Sequence, residues 1–125
     1  MNTFISYNFL IRFGLGIIFL ANALMAFFAP AEFIELIKNS FVVNVIPISP
    51  EAFVPVIIGL NDSIVGLLLI SGFAARRVAV WATLWLVGVI VVIGIGSPLD
   101  VLEHTGLLFM SLALILGDTY LTKHI

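Results

Sequence analysis

SPEAFVPVIIGLNDSIVGLLLISGF, running from Ser49 to Phe73, is the stretch on which the fold turns. Its start is punctuated as a helix. Ser49 suits the N-cap, Pro50 the first helical position, and Glu51 the positive end of the helix dipole. Pro55 lies close enough to that start to predict a kink. From Ala52 onward the only formal charge is Asp62, and the run exceeds the roughly 20 residues that cross a bilayer. Such a helix belongs in hydrocarbon. That leaves a question about Asp62, because burying a lone carboxylate is costly unless protein groups face it.

Composition extends this reading to the whole chain. Of its 125 residues 62% are hydrophobic and 10% charged, against about 45–50% and about 25% in an ordinary soluble domain. Five Lys/Arg and seven Asp/Glu cannot coat a soluble surface, and a net charge of −2 excludes a nucleic-acid surface. With no Cys, the chain has no disulfide, thiolate metal site or thiol redox chemistry of its own.

Three further runs match the first in length and character. One covers about 7–28 and is followed by Pro30. Its "ANA" (Ala21–Ala23) has the small-x-small form of a cleavage site, but Met1–Ile11 lacks a basic region, so it is read as a retained span. Another covers about 78–95, carries no charge, and has Trp81 and Trp85 near one end. The last covers about 98–120 and opens on SPLD, with Ser97 as N-cap, Pro98 first and Asp100 third. The span that opens on Pro50 is expected to run to about Phe73, and "AARR" (Ala74–Arg77) to form a tight polar turn. Between the first two spans, AEFIELIKN sets Glu32, Glu35 and Lys38 on one side and Phe33, Ile34 and Ile37 on the other. That pattern predicts a short interfacial amphipathic helix. The fold class is therefore all-α: an antiparallel four-helix transmembrane bundle in one integral membrane domain, 1–125. The positive-inside rule places both termini in the cytoplasm, with Arg12, Arg76, Arg77 and Lys123 on that side. Lys38 is outnumbered on the other side by Glu32, Glu35, Glu51 and Asp100. Tyr7, Trp81 and Tyr120 make a cytoplasmic aromatic belt.

Polar residues form stripes on three of the four spans. Asn8, Arg12, Phe19 and Asn22 share a broad face of the first. Gly59, Asp62, Ser63 and Gly66 share a face of the second, where small residues admit a close neighbour. Asp100, His104, Ser111 and Asp118 line the fourth, with Glu103 beside them. The third span has no stripe and is expected to face mostly lipid. At about 1.5 Å per residue, with the outer helix ends taken as level, Arg12 lies about 24 Å deep and Asp62 about 18 Å. An Arg side chain covers that difference, so a direct or one-water Arg12–Asp62 contact is expected. It is either a structural ion pair, or part of a head-group site or proton relay. Asn22 and Glu103, about 9 Å deep, and His104, about 10 Å, would line a pocket toward the outer mouth. His104 reads as a satisfied polar residue, a proton-handling group or a quinone contact. An imidazole with carboxylates suits Zn, Mn or Fe, but no two His share a helix face, so no metal is assigned.

These pieces resemble the DoxX family of small four-helix membrane proteins. The resemblance is carried by IRFGLGIIFLANALMAFF (Ile11–Phe28), GLNDSIVGLLLISGFAARRVAV (Gly59–Val80) and LEHTGLLFMSLALILGD (Leu102–Asp118). Arg12 matches the family's first-helix Arg, and Asp62 stands where relatives usually have Glu. Many relatives have a Gly and a Lys near the end of the first helix, where this chain has NALMAFF. The family is functionally mixed. Some members look like membrane subunits of thiosulfate:quinone oxidoreductase, and others are associated with oxidative-stress complexes.

The candidate ligand-binding or proton-handling residues are Arg12, Asn22, Asp62, Glu103 and His104; no catalytic residue is assigned. The leading reading is a membrane subunit or small-ligand module linked to redox or oxidative-stress metabolism, with a quinone as candidate ligand and a catalytic redox partner protein. The alternatives are a small proton-coupled transporter acting as a dimer, with Asp62 titrating, and a non-catalytic membrane adaptor. Gly88 and Gly94 on an all-apolar third helix make that helix the expected surface of a homodimer.

Overall fold

The computed structural model describes residues 7–124, with the side chains of all of these except 95 and 118–124. The expected roles of Asp118, Tyr120 and Lys123 lie outside the described side chains. In chain order the helices are α1 (Tyr7–Phe28), α2 (Ala31–Lys38), α3 (Val42–Val45), α4 (Pro50–Ser71), α5 (Ala75–Ile93) and α6 (Pro98–His124). Among the described residues there is no strand. Four helices, α1, α4, α5 and α6, are long and apolar enough to cross a membrane. They form an all-α antiparallel bundle in which α1 packs on α4 and α6, and α5 packs on α6. After their shared turn α4 and α5 touch far less.

Local chemistry accounts for the helix limits. The Ser49 hydroxyl accepts from the Ala52 N–H at 3.3 Å, and Pro50 takes the first turn of α4. An α-helical Pro55 would press its ring on the carbonyl of Glu51 and supplies no N–H. The chain relieves this by widening to a π-helical segment over Val54–Gly59 before returning to α-helix at Leu60. The expected kink is thus a wide turn inside a continuous span. α4 stops at Ser71, where Gly72 adopts a left-handed φ of +79° and donates to the Leu68 carbonyl. The tight turn is therefore Gly72–Ala74. Arg76 and Arg77, expected in the turn, lie exposed in the first helical turn of α5.

The amphipathic segment folds back on the bundle end. Ile37 of α2 and Val42 of α3 are buried with Ala26 and Val54, with Phe33, Ile34 and Phe53 packed around them. Glu32, Glu35 and Lys38 stay exposed. Lys38 reaches Glu51 at 3.1 Å, a half-exposed pair of small energetic weight. The main core lies deeper, built on Leu15, Phe19, Val65, Leu69, Ala79, Ala82, Leu86, Leu107 and Leu114.

The α1–α4 contact is the tightest. A Cβ added at Gly16 would meet the Gly66 carbonyl oxygen at 2.9 Å, and one at Gly66 would meet the Gly16 carbonyl at 2.9 Å. Backbone atoms cannot yield as a flexible side chain can. Gly16→Ala and Gly66→Ala should each lower unfolding stability in detergent by about 1–3 kcal/mol, the usual cost of overpacking. Gly106→Ala, at a position with nothing near the added carbon, should change it by less than about 1 kcal/mol.

Candidate functional site

Under the α2–α3 cap, where α4 and α5 diverge, lies a cavity of about 360 Å³. Its wall is mostly apolar: Phe19 of α1, Phe33 and Ile37 of α2, Phe53 and Ile58 of α4, Leu84 and Val92 of α5, and Leu107 of α6. Polar groups enter it from every long helix. They are Asn22 from α1, Asp62 from α4, Trp81 and Trp85 from α5, and His104 from α6. Trp81, Leu84 and Gly88 line the cavity and are also exposed on the bundle surface, so it opens sideways. In a bilayer that mouth meets hydrocarbon.

The glycine contacts explain which polar residues meet. Gly16 faces Gly66 and Ile70, Gly66 faces Leu20, Gly59 faces Phe27, and Gly72 faces Arg12. This one antiparallel register sets Asp62 level with Asn22. It also carries Arg12 to the far end of α4, ten residues or about 15 Å from Asp62. The expected Arg12–Asp62 contact is therefore not made. The depth estimate took the ends of α1 and α4 as level, whereas Phe27 is level with Gly59 and the first turns of α4 run on past α1. Arg12 instead packs its guanidinium against Gly72, where a Cβ would lie 3.0 Å from Cζ. It sits 5.7 Å from the centroid of the Phe9 ring and donates to Asn8 Oδ1 across 3.5 Å. Among the described residues Lys38–Glu51 is the only ion pair.

Asp62, 4% exposed, accepts from Asn61 Nδ2 at its Oδ1 across 3.0 Å. The Trp85 indole lines the same cavity. Asn61 in turn accepts from Trp81 Nε1 at 2.8 Å. The order is fixed by chemistry. An indole N–H only donates, so it must face the Asn61 oxygen, which turns the amide nitrogen toward Asp62. Asn61, Trp81 and Trp85 were not among the residues expected at the site. The available signal was two indole donors four residues apart on one helix face. α5 therefore has a polar edge toward α4, contrary to its expected all-apolar character. It has one toward α6 as well, where Thr83 and Ser111 pair at 2.8 Å with Ser111 fully buried.

His104 faces the cavity with Nδ1 at 2.7 Å from the Asp100 carbonyl. A carbonyl only accepts, so Nδ1 carries the proton and Nε2 is the remaining ring nitrogen. Glu103, one residue away, is exposed and is not part of the cavity wall. Of the five expected site residues, the structure brings Asn22, Asp62 and His104 together and leaves Arg12 and Glu103 outside. Among the described residues no three His, Asp or Glu converge as metal ligands would.

The DoxX family model matches residues 7–95, covering α1 through α5. The chain belongs to the DoxX family. No curated protein and no solved structure shows a match. The matched segment holds Asn22, Asn61, Asp62, Trp81 and Trp85, whereas His104 lies beyond it on α6.

Two mutant cycles separate these contacts. Arg12→Met and Asp62→Asn should have additive effects on unfolding in detergent, with coupling below about 0.5 kcal/mol. Asn61→Ala and Trp81→Phe should couple by about 0.5–1.5 kcal/mol, the net worth of the shared hydrogen bond.

Proposed function

We propose that this chain is a membrane-embedded binding module for a small, largely apolar molecule carrying a hydrogen-bonding ring. A quinone is the chemical class that the cavity suits best. The observation that carries this reading is the cavity itself, apolar over most of its wall and polar at Asn22, Asp62, Trp85 and His104. Ligand sites commonly have this composition and a size of about 300–1,000 Å³. The sideways mouth at Trp81, Leu84 and Gly88 lets an isoprenoid or alkyl tail stay in the lipid while the ring enters. A ring at this position touches aromatic side chains and meets hydrogen-bonding groups on several walls. With no Cys for thiol redox chemistry, the chain's part is binding, and a partner protein carries the redox chemistry. Membership of the family supports the membrane setting and leaves the ligand to be tested.

We further propose that both termini are cytoplasmic, on the grounds of Arg76 and Arg77 at the α4–α5 turn. The chain has no native Cys to interfere with labelling. Asn39→Cys should react with a membrane-impermeant maleimide added to intact cells, and Phe73→Cys should not. The reverse pattern inverts the topology.

The ligand reading is tested by adding decylubiquinone to the purified chain in mild detergent and measuring binding by calorimetry. Saturable binding of one molecule per chain is expected. Gly88→Phe should abolish it, because the added ring projects into open space at the cavity wall. The unfolding midpoint of that variant should stay near wild type. Unchanged binding in Gly88→Phe, or no binding to wild type, removes this site from consideration.

A further inference from the structure

We infer that the end of the bundle away from the cavity binds the phosphate of an anionic phospholipid, with Arg12 as its anchor and Arg76 and Arg77 as further cationic contacts. The observation that carries this is a partly buried arginine whose charge the chain does not answer. Among the described residues no carboxylate pairs with Arg12. Its hydrogen bond is a long one, to Asn8 Oδ1 at 3.5 Å, and its Nε is buried without a partner. The Phe9 ring lies 5.7 Å away. A guanidinium has five N–H groups, no acceptor and a permanent charge. A neutral amide and one ring leave most of those donors unused, and a charge taken out of water is costly unless it is paired. An anion from outside the chain completes the site, and a phosphate fits the planar fork of donors. Position decides which phosphate. Arg12 packs on Gly72, the residue that ends α4, and Arg76 and Arg77 lie exposed in the first turn of α5, four and five residues later. Ala74 gives α5 no side-chain cap, so the first amides of that helix add to the positive field. Apart from Asp62, the described carboxylates lie toward the opposite end, at Glu32, Glu35, Glu51, Asp100 and Glu103. The cationic end also carries exposed apolar side chains, Tyr7 and Leu10 of α1, Leu67 of α4, and Phe73 of the turn. A free phosphate gains nothing from them, whereas the acyl chains of a lipid pack on them. Basic pockets between helices at a membrane surface recognise acidic head groups in this way.

The test compares three probes on the full chain in an uncharged mild detergent: dioleoylphosphatidylglycerol, dioleoylphosphatidylcholine and inorganic phosphate. Calorimetry should show saturable binding of one phosphatidylglycerol per chain, at least about tenfold tighter than phosphatidylcholine. Inorganic phosphate at matched concentration should not displace it. Arg12→Gln should weaken phosphatidylglycerol binding about fivefold or more, and Arg76→Gln with Arg77→Gln about tenfold. Lys38→Gln, at the opposite end, should leave it unchanged. If Arg12→Gln does not fold, Arg12→Lys replaces it; that variant keeps the charge, loses the fork, and should weaken binding about threefold. Equal binding of the two lipids, or no saturable binding, overturns the site. Wild-type affinity in the Arg12 variant overturns Arg12 as its anchor. Displacement of the lipid by inorganic phosphate overturns the lipid assignment in favour of a free anion.

Discussion

Gly16 and Gly66 let the backbones of α1 and α4 meet without side chains between them. In hydrocarbon there is no hydrophobic force to pull helices together, so close packing of small residues carries much of the association. The contact acts as a register pin. It puts Gly59 against Phe27, Gly72 against Arg12, and Asp62 on the level of Asn22. A substitution that moved this pin by one helical turn would shift each polar group of α4 by about 5.4 Å relative to α1. The site is therefore set by residues that take no part in it.

The same packing leaves α4 and α5 apart beyond their turn. Side chains bridge the opening where backbones do not. Trp81 and Asn61 join the two helices, and Asp62 sits behind them, accepting from Asn61. A carboxyl group in a membrane protein need not have a cation beside it. Directed N–H groups stabilise it too, and they need no second buried charge. The π-helical segment adds to this geometry. Forced by Pro55, it ends at Gly59, three residues before Asp62, and contributes Ile58 to the cavity wall. Irregular turns of this kind often accompany functional sites because they re-aim the side chains that follow.

Arg12 takes the place that α1 assigns to it. Its guanidinium rests on the glycine that ends α4, with the Phe9 ring 5.7 Å away. Its Nε is buried without a partner. The close fit explains why Gly72 serves twice, once for its left-handed φ and once for the space it leaves. The interaction belongs to the packing of the turn, at the end of the bundle away from the cavity.

Solvent, helix number and the helix starts at Ser49-Pro50 and Ser97-Pro98 were legible in the chain because each is written locally, whereas the α4–α5 turn lies at Gly72–Ala74 and not at Ala74–Arg77. Long uncharged runs require a bilayer, Ser49-Pro50 and Ser97-Pro98 start helices, and the 3.6-residue period separates Glu32 and Lys38 from Ile37. Asn22, Asp62 and His104 were also legible as candidates, since polar residues in apolar spans stand out. Only the tertiary structure decided which of them meet. Counting residues from the helix ends treated α1 and α4 as level, and that assumption produced an Arg12–Asp62 contact that the Gly16–Gly66 packing forbids. The roles of Trp81 and Trp85 were hidden for a related reason: an indole counts as apolar in a hydropathy reading, and its single N–H matters only once a neighbouring helix brings an acceptor to it. Helix existence follows from the transfer of each residue into hydrocarbon. Register and pairing follow from the volumes of residues fifty positions apart, a property that no single segment contains.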